Sequence, residues 1–162
     1  MQEKIREQFH NTFDSWQNLL KESTEVYDLL NVKTRVKEDL DFLLNSATSL
    51  IDRSTETIQE IDKYERSAKE ALENTRSCVQ NKRESIKRFK MNIFARLNKR
   101  RLKKRIDVLQ RKLLEKQNRR RDASKEIKFG QCLLMEVLQE SEMVQLQIEE
   151  KTQQSKIFFV LL

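Results

Sequence analysis

The sequence has no proline and a single glycine, Gly130, in 162 residues. Globular domains normally carry both, because they supply tight turns and left-handed corners. A chain with one glycine cannot build a glycine-rich phosphate-binding loop. Histidine is equally scarce, with His10 alone. The two cysteines, Cys78 and Cys132, stand far apart. They make neither a disulfide framework nor zinc-ligand spacing, which points to a reducing, cytoplasmic interior. Cys78 lies beside Val79 on the seam and Cys132 beside Leu133, and both are expected to act as small apolar residues. With no nucleophile–base spacing and no enclosed pocket expected, the chain is read as a non-enzyme with no catalytic residue, cofactor or metal.

Long apolar runs are also missing. Nothing approaches the roughly 20 residues that span a bilayer, and "MQEKIREQFHNTF" carries no signal-peptide pattern. The closing "KIFFVLL" is apolar but short; a docking tail, a surface anchor and a truncated longer segment all remain open readings.

What is present is helix-forming. Glu, Lys, Leu, Arg and Gln dominate, and an apolar content of 37% suits a narrow seam better than a broad core. The apolar residues are periodic, unlike those of a disordered chain. Ile5, Phe9, Phe13, Trp16, Leu20, Ser23, Tyr27 and Leu30 form a first stripe. Trp16 is its core or partner-facing anchor. Asn31 and Thr34 offer a stop and restart. A second register runs Leu40, Leu43, Ala47, Leu50, Ser54, Thr57, Ile61, Tyr64 and Ala68, then drifts into Leu72, Thr75, Val79, Lys82, Ile86, Phe89 and Ile93. A third runs Leu102, Ile106, Leu109, Leu113, Lys116, Arg120, Ala123, Ile127, Gly130, Leu134, Val137, Ser141, Val144 and Ile148. Steps of three and four are the heptad signature.

The expected fold is therefore all-α, an elongated long-helix coiled coil. The alternative is a helical hairpin or bundle, folded back near Asn31 and again near Asn92 to Asn98. Four segments follow: an amphipathic helix over 1–31, a central coiled-coil helix over 32–95, a strongly basic segment over 96–128 and a C-terminal helix with its apolar tail over 129–162. Lys82, Lys116, Arg120 and Ser141 at core-type positions favour pairing with different coiled-coil chains over a homodimer. The expected partner seam comprises Leu72, Val79, Ile86, Phe89, Ile93, Leu102, Ile106, Leu109 and Leu113.

Charge is segregated. Residues 76–128 hold 21 Lys and Arg against 5 Asp and Glu, whereas residues 1–75 hold 10 against 16 and residues 129–162 hold 2 against 5. Candidate polyanion or membrane contacts are Arg96, Lys99, Arg100, Arg101, Lys103, Lys104, Arg105, Arg119, Arg120 and Arg121. A nucleic-acid-binding module over 96–121 is one alternative. Against it, the basic residues interleave with the leucine seam instead of preceding it, and no aromatic platform lies in the densest part. A solvated coiled-coil flank is the first reading of this run, and peripheral contact with an anionic membrane the second.

From "LIDRSTETIQEIDKY" through "SIKRFKMNIFARLNKRRLKK", about residues 50–104, the chain resembles the KxDL family of small coiled-coil subunits in lysosome-positioning assemblies. Lys90, Met91, Asn92 and Ile93 correspond to the Lys-x-Asp-Leu element, with Asn for Asp and Ile for Leu. "IFARL" is similar to the family's Ile-Phe-x-Arg-Ile run, displaced by three residues. "ENTRSCVQNKRESIKRFKMNI" also resembles a Q-type SNARE helix, with Val79, Ile86, Phe89 and Ile93 as layers and Lys82 where the central glutamine would stand. The first resemblance implies an interaction subunit peripheral to endosomal or lysosomal membranes. The second implies a fusion helix without its anchor.

Overall fold

The computed structural model describes the backbone of residues 2–88 and 93–160, and the side chains of residues 2–84 and 97–155. It is all-α: α1 spans Gln2–Glu22, α2 Val26–Arg88 and α3 Ile93–Val160, with no strand among the described residues. These helices pack as two units, Met1–Arg53 with Glu126–Leu162, and Ser54–Lys125.

The first unit is a three-helix bundle. The stripe of α1 buries Phe9, Phe13, Trp16 and Leu20 against Leu29, Val32, Val36, Leu43 and Ala47 of α2 and Leu133, Val137, Val144 and Ile148 of α3. Burying each large side chain contributes about 2 kcal/mol before the entropy of ordering it. Trp16 is fully buried, and its indole N–H donates to the Asp39 carboxylate at 2.9 Å, so its one polar atom is satisfied. Arg6 meets Glu136 at 3.1 Å and Leu20 meets Lys151, so α1 runs parallel to this part of α3. Gly130 lies beside Ala47 and Ile51, whereas Ile148 shares a groove with Val26 and Leu29. In this unit α2 and α3 are therefore antiparallel.

The first break falls at residues 23–25, not at Asn31 to Thr34. The Ser23 N–H donates to the Leu19 carbonyl at 3.0 Å, and its hydroxyl donates to the same oxygen at 2.7 Å. The Lys151 ammonium donates to the carbonyl oxygen of Leu20 and, at 3.3 Å, to that of Ser23. Together these groups satisfy carbonyls that the end of α1 would otherwise leave unpaired. The Leu29 N–H then donates to the Glu25 carbonyl at 3.1 Å, and Asp28 sits in the first turn of α2, where the helix dipole favours negative charge. Restarting the helix rotates the stripe. Tyr27 and Leu30 are 70% and 59% exposed, while Leu29, Val32 and Val36 take the buried positions.

The second unit is an antiparallel hairpin, because Asp62 of α2 meets Arg120 of α3 at 3.3 Å while Arg76 shares a groove with Ile106. Its α2 seam reads Ser54, Ile58, Ile61, Glu65, Ala68, Leu72, Thr75 and Val79, all buried or half-buried and alternately four and three residues apart. Thr57 is exposed and Ile58 takes its place; Tyr64 is half-buried beside the buried Glu65. The Thr75 hydroxyl donates to the Ala71 carbonyl at 2.6 Å, which accounts for a polar side chain in the seam. The expected second fold-back, near Asn92 to Asn98, falls partly on residues 89–92, outside the described residues; α3 is helical from Ile93.

Two substitutions probe these contacts. Lys151→Met removes the ammonium from the end of α1 and is expected to cost about 1–2 kcal/mol, measured by urea unfolding followed through Trp16 emission. A Cβ on Gly130 would lie 2.7 Å from Cγ1 of Ile51 and 3.4 Å from the Ala47 carbonyl oxygen. Gly130→Ala should therefore lower the unfolding midpoint despite an intrinsic helix gain of about 1 kcal/mol. In an Ile51→Ala background the same change should raise it.

Candidate functional site

Six of the side chains expected to face a partner helix are described, and each is at least half-buried within the chain. Leu72 is buried, and Val79, Leu102, Ile106, Leu109 and Leu113 are half-buried. Val79 and Ile106 line one groove of the hairpin together with Arg76 and Arg83. Ile86, Phe89 and Ile93 have side chains outside those described, as does Arg96 of the basic run. Of the charged seam positions, Lys116 is half-buried with its ammonium 5.4 Å from the Tyr64 ring centroid. Lys82 is exposed. Ser141 is buried, and its hydroxyl donates to the Leu138 carbonyl at 2.9 Å.

The fold divides the basic run in two. Lys99 is half-buried, whereas Arg100, Arg101, Lys103, Lys104, Arg105, Arg119, Arg120 and Arg121 are exposed. Residues 107–125 run beside a net acidic stretch of α2, which carries Glu56, Glu60, Asp62, Glu65, Glu70 and Glu73 against Lys63, Arg66 and Lys69. There Arg120 meets Asp62, and Lys116 lies over Tyr64. Both partners of the ion pair are partly exposed, so it contributes little to stability by itself, about 0–1 kcal/mol. Beyond it, residues 97–106 lie against a part of α2 that is itself basic.

A second surface lies on the first unit. There α3 buries Leu133, Val137, Ser141, Val144 and Ile148 on one side, yet Met135, Leu138 and Leu146 are 63%, 52% and 54% exposed on the other. These three are three and eight residues apart, which puts them on one helical stripe, with Met143 at its edge and Glu142 within it. The third sequence register follows a single face of α3 and passes over this stripe. It places Leu134 in the seam, whereas the fully buried residue is Leu133. A helix enclosed by two neighbours buries a wider arc than one seam, and Leu134 packs at the edge of that arc.

The residues weighed for chemistry are not brought together. The His10 ring stands edge-on to Phe13, with centroids 5.9 Å apart. Cys78 and Cys132 are both exposed; one step off the seam turns their side chains away from it, so neither fills the core as expected. Among the described residues no group of three or more His, Cys, Asp and Glu could hold a metal ion. None of the described helices is long and apolar enough to cross a membrane. No family model matches the chain, and neither a curated protein nor a solved structure does.

The packing of Leu109 and Leu113 inside the hairpin makes a direct prediction. Leu109→Asp with Leu113→Asp places two carboxylates in that seam and is expected to destabilise it by about 2 kcal/mol per site. Amide exchange in residues 54–84 and 97–125 should accelerate, with the emission of Trp16 unchanged. Intact protection in both segments would show that these leucines do not hold the hairpin.

Proposed function

We propose that the chain is a non-catalytic interaction subunit of a cytoplasmic assembly, binding helices of other chains through the outward side of α3. The observation that carries this reading is the stripe of Met135, Leu138 and Leu146, which lies opposite the buried face of the same helix. Helices in monomeric bundles normally place polar residues there. An exposed apolar row of this kind fits the helix-to-helix mode of recognition, in which anchors repeat every three or four residues.

The flanks argue for the type of occupant. Glu142 lies within the stripe and Glu149 follows it, both exposed. A twofold pairing of two copies centred here would bring Glu142 against its own counterpart, and like charges across an interface are unfavourable. A helix from a different chain, with basic residues beside its apolar row, meets both requirements. This favours a hetero-oligomer over a homodimer. The resemblance of residues 50–104 to KxDL-family subunits supports placing the assembly on endosomal or lysosomal membranes. Lys90, Met91 and Asn92, which carry the motif, lie outside the described residues.

The test is a tagged pull-down at near-physiological salt after nuclease treatment, comparing the native chain with a Met135→Glu, Leu138→Glu and Leu146→Glu variant. Native protein should retain a stoichiometric helical partner, and the variant should lose it at least tenfold, with helicity and Trp16 emission preserved. Glu142→Lys with Glu149→Lys should weaken capture of the same partner. An unchanged set of co-purifying proteins in the triple variant would remove this side of α3 from the interface.

A further inference from the structure

The hairpin of the second unit brings together two basic segments that are separate in the sequence. Residues 76–84 of α2 contribute Arg76, Lys82 and Arg83, with Glu84 as their one acid, and residues 97–106 of α3 contribute six Lys and Arg with no acid. Arg76, Arg83 and Ile106 line the same groove, so the segments are neighbours across the pair. Among the described residues none of these nine basic side chains takes part in an ion pair; the ion pairs of this unit lie further along, at Glu65 with Lys69, Asp62 with Arg120 and Asp122 with Lys125. Elsewhere in the hairpin Arg120 of α3 meets Asp62 of α2. Here both helices are basic, and all nine side chains except the half-buried Lys99 are exposed, so this surface concentrates positive charge.

We propose that this part of the hairpin, formed by residues 76–84 and 97–106, binds the surface of a membrane rich in anionic phospholipid. The inference is independent of the apolar stripe on α3. A lipid surface offers diffuse, closely spaced negative charge without directional demands, which suits side chains spread over two helices. The geometry fits nucleic acid less well. Two helices packed side by side, each about 10–12 Å across, exceed the roughly 12 Å width of a DNA major groove. The described side chains of these segments include no aromatic ring on which single-stranded bases could stack. The contact is electrostatic and peripheral, and it weakens as salt screens it.

The experiment is flotation of the full chain with vesicles of phosphatidylcholine alone or with about a third phosphatidylserine, at about 0.15 M salt. Binding is expected only to the anionic vesicles. A variant with Arg76→Gln, Arg83→Gln, Arg101→Gln and Lys104→Gln should bind them at least tenfold more weakly, since each basic residue near such a surface contributes up to about fivefold. A matched variant with Arg111→Gln, Lys112→Gln, Arg119→Gln and Arg121→Gln loses the same charge from the part of α3 that faces the acidic stretch. It should stay within about twofold of the native chain. Helicity and Trp16 emission verify that both variants remain folded. Equal losses in the two variants would reduce the effect to net charge and overturn the assignment. So would equal binding to neutral vesicles, or displacement from anionic vesicles by duplex RNA at matched phosphate concentration.

Discussion

The ammonium of Lys151, donating to the carbonyl oxygens of Leu20 and Ser23, does what a glycine or proline normally does at the end of a helix. A chain with neither residue near its first reversal has no local instruction strong enough to stop α1. Propensity would let the helix run on, as the favourable residues around it suggest. A side chain from α3 joins the local Ser23 N–H and hydroxyl in satisfying the carbonyls at the end of α1, so the bundle reinforces the stop. The consequences pass along the chain. Once α1 ends at Glu22, α2 restarts with a new phase, and Leu29, Val32 and Val36 instead of Tyr27 and Leu30 join Phe13 and Trp16 in the buried cluster. Gly130 then has a separate use. It is helical, and its missing side chain is what allows α3 to lie so close to Ile51.

The second unit rests on a thinner apolar contact. Its two helices have no third neighbour within that unit, so each buries a narrow row. Ser54, Ala68, Thr75 and Ala123 are small enough for close approach but release little apolar surface from water. Charge therefore matters more to its pairing than to that of the bundle. Acidic residues of α2 oppose the basic residues of α3 over one stretch, and basic residues occur on both helices over the next. The same basic run thus lies in two electrostatic settings, set by what the antiparallel pairing places beside it.

Much of the helical register was legible because a seam repeats locally. The steps from Leu72 and Thr75 to Val79, and from Leu102 to Ile148 apart from the exposed Arg120 and the choice of Leu134 over Leu133, follow from the spacing of apolar residues. Three features were not legible for the same reason. The stop at residues 23–25 is reinforced by Lys151, more than a hundred positions away. Full burial of Leu133 depends on a third helix widening the covered arc. The meeting of Arg76 and Arg83 with the Ile106 region depends on pairing across the hairpin. Periodicity shows that a residue faces something; it does not show whether that neighbour is the same chain or another. This is why Leu102, Ile106, Leu109 and Leu113 read as a partner surface from sequence and are half-buried in the chain's own hairpin.

An acid-flanked apolar row and a basic region on one chain raise the prospect of copies joining head to tail, a contact that leaves a free surface at each end and grows without limit. The distribution of apolar residues works against it. Leu97, Val108 and Leu114 are exposed in the basic region, but they are eleven and six residues apart. An interval of eleven returns to the same side of a helix, whereas an interval of six does not. They consequently offer no continuous row to match Met135, Leu138 and Leu146. Charge attraction alone between such surfaces is weak and screened at physiological salt. The two surfaces are therefore suited to different occupants, an apolar helix for one and a diffuse anionic surface for the other.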